Sequence, residues 1–161
     1  MPADDHALLA MTLIETRKTM VLATCCNDRP WTAPVYYVYM RPDFCFFSSP
    51  RSRHIADLRD GGKVAASIFA DSDQWEAIEG LQMTGQVTEI RRRPAQLNAT
   101  ARYLVKFPFT RDFLSGGGKK IAAGRDRVRL YGFTPRQMHY VNNRLGFGHR
   151  VSITPPVPHR R

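Results

Sequence analysis

Within FFSSPRSRHIADL (residues 46–58), hydroxyls, guanidiniums and an imidazole crowd together at Ser48, Ser49, Arg51, Ser52, Arg53 and His54. Hydroxyls and guanidinium N–H groups donate to oxyanions, and a helix beginning at Ser52 would add unpaired backbone N–H groups, so the chemistry offered is phosphate binding. The competing reading is a surface helix capped by Ser52 with its basic residues in water. Gln82 stands in an otherwise apolar, Gly and Thr segment, where a side-chain amide needs partners. NNRLGFGHR (142–150) sets Phe147 between two glycines ahead of His149 and Arg150, which reads either as a loop capping a cleft or as a turn into a last strand.

Other catalytic templates are absent. Ser115 has no GxSxG context, and GGGKK lacks the Walker spacing and its final Ser or Thr. The histidines form no HxxxH pair, so no metal site is expected, and Asp71, Asp73 and Glu76 read as solvated. The formal net charge of +10 favours anionic partners without choosing among them. Cys25, Cys26 and Cys45 are odd in number and lack CxxC spacing, which argues against a zinc site or disulfide framework. The first twenty residues lack the pattern of a secretory signal, and no window reaches the length of a spanning helix. The expectation is a soluble cytoplasmic protein with reduced thiols and no membrane partner.

The elements that must position these residues follow from periodicity. Residues 4–19 read as an amphipathic helix and 20–26 as a strand, with a turn at Asn27-Asp28-Arg29-Pro30. Residues 31–40 and 44–49 then complete three consecutive antiparallel strands. A short helix over 52–60 stops at Gly61-Gly62, and 63–70 and 78–90 are further strands. Residues 93–107 predict a helix whose face is Leu97, Ala101, Leu104 and Val105. Residues 111–126 read as a mobile glycine-rich loop, 127–135 and 137–143 as two half-buried strands, and 151–161 as a Pro/Arg-rich tail. A single domain over 1–150 is expected.

The order APVYYVY, FCFFSSPRSRHIADL, Gly-Gly, KVAASIFA, LQMTGQVTEI and VNNRLGFGH resembles the pyridoxamine 5'-phosphate oxidase-like family of flavin-binding split β-barrels. The resemblance implies a mainly β fold with flanking helices, a six-stranded antiparallel split β-barrel, forming a homodimer with FMN in interface clefts built from both chains. It implies that Ser52 and Arg53 grip the flavin phosphate, with His54 where the family has Lys. It also implies that the ring lies against the strand carrying Val35, Tyr36 and Tyr37, with Phe47 and Ser48 as contacts, and that Gln82 meets the flavin edge. Phe147 is the candidate from the last loop.

The expected function is an FMN-dependent oxidoreductase acting on a small-molecule redox substrate. Pyridoxamine phosphate oxidation itself is not implied, because the C-terminal arginine and tryptophan context of the true oxidases is missing. The alternative is a cofactor-binding or sequestering protein, for flavin or for haem held by His54, His139 or His149. A basic nucleic-acid-binding protein ranks last, because the arginines at 91–93 and 160–161 do not form one aromatic-interleaved stripe.

Overall fold

Alternation of apolar and polar residues recurs along the chain, and the computed structural model, which describes residues 3–111 and 128–154, gathers those segments into one antiparallel sheet. Helix α1 (Ala3–Thr16) precedes β1 (Thr19–Cys26), β2 (Arg29–Tyr36), β3 (Val38–Met40) and β4 (Asp43–Ser48). Helix α2 (Arg53–Arg59), β5 (Lys63–Phe69), β6 (Glu79–Glu89), α3 (Arg93–Lys106), β7 (Arg129–Asn142) and β8 (Arg150–Ile153) follow. The order across the sheet is β2-β1-β5-β6-β7-β4-β3, with β8 also on β7. β7 pairs with β6 along its length, while its first half also holds β4 and its second half β8, so the sheet divides there. This is a curled, split barrel.

Inward residues of β1, β4, β5, β6 and β7, including Met20, Leu22, Phe44, Phe46, Ile68, Leu81, Phe133 and Tyr140, form the main core, and Leu13 and Ile14 of α1 join them. A smaller cluster under α3 contains Val38, Cys45, Tyr103, Phe107 and Leu130. Among the described residues, no helix is long and apolar enough to cross a membrane.

Several sequence expectations are corrected. The turn after β1 is tighter than the four residues expected. Asn27 and Asp28 alone make it, at φ 50° and 57°, and the register pairs Cys26 with Arg29. Both residue types tolerate positive φ and suit a two-residue hairpin. The strand expected over 31–40 is broken at Tyr37. Its first part pairs with β1 and its second with β4, at opposite ends of the sheet order, so the three expected strands form two separate antiparallel pairs rather than one continuous run. Pro30 and Pro34 fit this outcome, because β2 is an edge strand where a missing N–H is tolerated.

The two strands expected over 127–143 are one. Arg136 is an extra residue opposite the Thr84–Gly85 step, so the gap between the two expected strands is a bulge. Gly85 is required there, since a Cβ would overlap the Thr134 carbonyl. Residues 151–153, assigned to the tail, belong to β8, while 155–161 and most of the glycine-rich loop lie outside the described residues.

The apolar face expected for α3 is also wrong: Leu97 and Val105 are 66% and 83% exposed, whereas Ala99 and Tyr103 are buried. Tyr103 decides the orientation. Its ring packs edge-on against Phe47 and its phenol donates to the Tyr36 carbonyl, and burying one aromatic with its hydroxyl satisfied outweighs two aliphatic contacts.

Candidate functional site

Two polar groupings stand out, on different faces of the barrel wall. The first lies where β4 runs into α2. Ser52 precedes the helix as expected, but its hydroxyl makes no cap and instead donates to the Ser49 carbonyl at 2.8 Å. With that hydrogen committed, Ser52 Oγ can only accept from Ser48 Oγ, 3.0 Å away. Ser48 Oγ in turn accepts from His54 Nε2 at 2.9 Å. The one consistent direction is His54 Nε2–H to Ser48 to Ser52 to the Ser49 carbonyl, which sets the protonated ring nitrogen. Burial pushes the His54 pKa down, with Asp57 opposing it, so near neutral pH the ring is an uncharged donor inside the fold. His54, which stands where the resemblance has Lys, is thus a member of a closed hydrogen-bond chain.

Arg53 does face outward. Its guanidinium lies over the Trp31 ring at 4.4 Å and 4.0 Å from Asp57, whose carboxylate also accepts from the Thr24 hydroxyl at 2.8 Å. This ties the start of α2 to the edge strand β2 and holds one cation at the barrel's rim.

The second grouping is a cleft of about 510 Å³ on the outer face of the sheet. Registers show how it forms. Val21 lies beside Ser67, Ser67 beside Gln82 and Gln82 beside His139, while the next rung runs Thr32, Ala23, Ala65, Thr84 and Gln137. Residues two apart in a strand share a face, so the two rungs are contiguous. Ala23, Ala65 and Ser67 are small and leave a shallow floor. Gln82, Gln137, His139 and Arg150 rise along one side and Thr32 stands on the other. Thr84 donates to Gln137 at 3.1 Å, and His139 Nδ1 lies 3.2 Å from Ser152 Oγ.

Of the expected site residues, only Gln82 lines this cleft. Val35 and Tyr37 point into the core, where the Tyr37 hydroxyl donates to the Ile14 carbonyl at 2.7 Å. Tyr36 is exposed but packs on Phe107 and Phe109, and Phe47 lies under Tyr103. Phe147 is 85% exposed and rests on Trp75, while His149 packs edge-on against His6. Trp31 and Thr32 are neighbours on β2 and point to opposite sides. Arg53 over Trp31 and the cleft beside Thr32 are therefore not brought together within one chain.

Sequence reading did not identify Thr32, Ser67, Thr84 and Gln137. The alternation of Leu81, Met83 inward with Gln82, Thr84, Gln86 outward was a usable signal, but which strands lay beside β6 was not.

The fold can be set beside known proteins. The chain is 25% identical over 96 residues, 58% of its length, to the UPF0306 protein PM1958 of Pasteurella multocida, of which the match spans 64%. Among solved structures it is similar to HutZ, described as the haem storage protein of Vibrio cholerae, with TM-score 0.66, 19% identity and coverage of 86% of this chain and 94% of that one. It is also similar to an FAD-binding protein of Mesorhizobium loti, with TM-score 0.63, 16% identity and coverage of 82% and 89%. At these identities the structural likeness establishes the fold. Residues 9–142 match the family model described as Pyridoxamine 5'-phosphate oxidase, and with most of its length so matched the chain belongs to that family.

Proposed function

We propose that the protein is an FMN-binding redox protein whose cleft is completed by a second copy of the chain. The observation that carries the reading is the small-residue floor of Ala23, Ala65 and Ser67, rimmed by Gln82, Gln137, His139 and Arg150. A planar ring needs a flat floor, and the cleft volume falls within the range of cofactor sites. The cation at Arg53 lies on the other side of β2, so a partner chain is needed for a phosphate anchor and the floor to serve one ligand. Arg53 would hold the phosphate, while Gln82 would supply amide hydrogen bonds to the ring edge. Bound FMN would supply electron or hydride transfer, and the chain would orient it and leave one face for a small-molecule substrate.

The test is the absorption spectrum of the purified protein and quenching of FMN fluorescence on titration. Flavin bands, or saturable quenching weakened about tenfold or more in Arg53→Ala, are expected from loss of a charge-assisted contact. A colourless protein that leaves FMN fluorescence unchanged overturns the reading.

A second reading, haem binding, is favoured by one residue. Of the three candidate ligands His54, His139 and His149, only His139 lines the cleft. A Soret band on haem addition that is lost in His139→Ala, together with no response to FMN, would replace flavin with haem. The similarity to HutZ supports keeping this reading.

A further inference from the structure

A second cleft, of about 360 Å³, lies where the last turns of α1, strand β3 and the end of α3 meet, and it shares no residue with the outer-face cleft. Three cations line it. Arg102 and Lys106 are one helical turn apart on α3, and Arg41 follows β3. None of the three takes part in the ion pairs found among the described residues. Arg102 Nε donates to Asn98 at 3.2 Å, and the Lys106 ammonium rests over the Tyr37 ring at 4.3 Å. Glu15 is the one carboxylate in the lining, so the cations outnumber it three to one.

Tyr39 lines the same cleft, and its hydroxyl is buried without a hydrogen-bond partner. A buried orphan hydroxyl is destabilising, and a ligand accepting its hydrogen would relieve that. The remaining wall is apolar, with Met11 and Ile14 from α1 and Met40 from β3. Burial pushes the Lys106 pKa down to about 8, with Glu15 opposing and Lys18 adding to the fall. Burial thus destabilises the ammonium by more than Glu15 steadies it, and an anion beside it would reverse that.

We propose that this cleft binds a small-molecule anion, a carboxylate or phosphate monoester carried on an apolar chain. Arg41, Arg102 and Lys106 hold the charge, the Tyr39 hydroxyl donates to it, and Met11, Ile14 and Met40 cover the chain. The site does not depend on the flavin reading, because it uses none of those residues.

Isothermal titration calorimetry of the full chain with octanoate, octyl phosphate, octylammonium and inorganic phosphate tests it. At least one octyl anion should bind once per chain, octylammonium should not bind, and inorganic phosphate should be weaker by about tenfold or more for want of the apolar contact. Whichever octyl anion binds more tightly identifies the headgroup. Lys106→Met and Arg41→Met should each weaken that anion about tenfold, and Tyr39→Phe somewhat less. If Lys106→Met does not fold, Arg41→Met and Tyr39→Phe decide, since one changes an exposed side chain and the other removes only an unpartnered hydroxyl. Binding of neither anion, equal binding of octylammonium, or affinities unchanged in the folded variants overturns the proposal.

Discussion

The grouping at the start of α2 and the outer-face cleft contain similar residue types in opposite condition. In the first, Ser48, Ser52 and His54 donate to one another in sequence and end on a backbone carbonyl, so their hydrogen bonds are spent inside the protein. In the second, Gln82 and Arg150 stand over a floor of small residues without such a chain. Polar residues that satisfy each other hold structure, whereas polar residues beside open space are available to a ligand. A short motif does not distinguish the two, because the same residue types can turn toward one another or toward open space.

The strongest way to break this contrast is to fill the floor. Ser67→Tyr places a ring over Ala23 and Ala65 on an outward position, so FMN binding should be lost, roughly a hundredfold or more, while stability changes by about 0.5 kcal/mol or less. Fluorescence titration and urea unfolding together check this. Retained FMN binding would move the ligand elsewhere.

Ser48→Ala should do the reverse. It removes the acceptor of His54 Nε2–H and the donor to Ser52, at a cost of about 1–3 kcal/mol of stability, with a smaller effect on FMN than Arg53→Ala. Unfolding midpoints and FMN affinities of the two variants, measured side by side, sharpen the comparison. If Ser48→Ala abolishes binding without loss of stability, the chain is part of the site after all.

The smallest expected effect is on pH dependence. His54 has a folded pKa below its unfolded value, so its contribution is fully present above about 6.5. It is lost as pH falls from there through the folded value, where the unfolded chain binds the extra proton. Wild-type protein should therefore lose more stability than His54→Gln between pH 8 and pH 5, read as the difference in urea midpoints. Parallel loss in both would mean that the His54 ring does not resist protonation.

Much of the architecture was legible. Residues 20–26, 63–70 and 78–90 read as strands that the structure contains, and the turn residues 27–30 mark a turn that the structure closes with Asn27 and Asp28 alone. The Gly-Gly after α2 marked its end. Less of the site was legible. Gln82 was found because an amide in an apolar strand demands a partner, but its neighbours Ser67, Thr84 and Gln137 come from other strands, and period alone does not say which strands meet. The face of α3 was misread because Leu97 and Val105 fit a helical stripe, while the burial of Tyr103 depended on Phe47 and the Tyr36 carbonyl far away in the chain.

The sequence by itself determined local conformation and the inward or outward sense of most strands, since both follow from steric preferences and a period of two within a few residues. The tertiary structure alone decided that the Tyr37 break sends one expected strand to both ends of the sheet order. It alone decided that two cross-strand rungs build a floor. Those outcomes depend on registers and hydrogen-bond partners contributed by distant segments, which exist only once the sheet has closed.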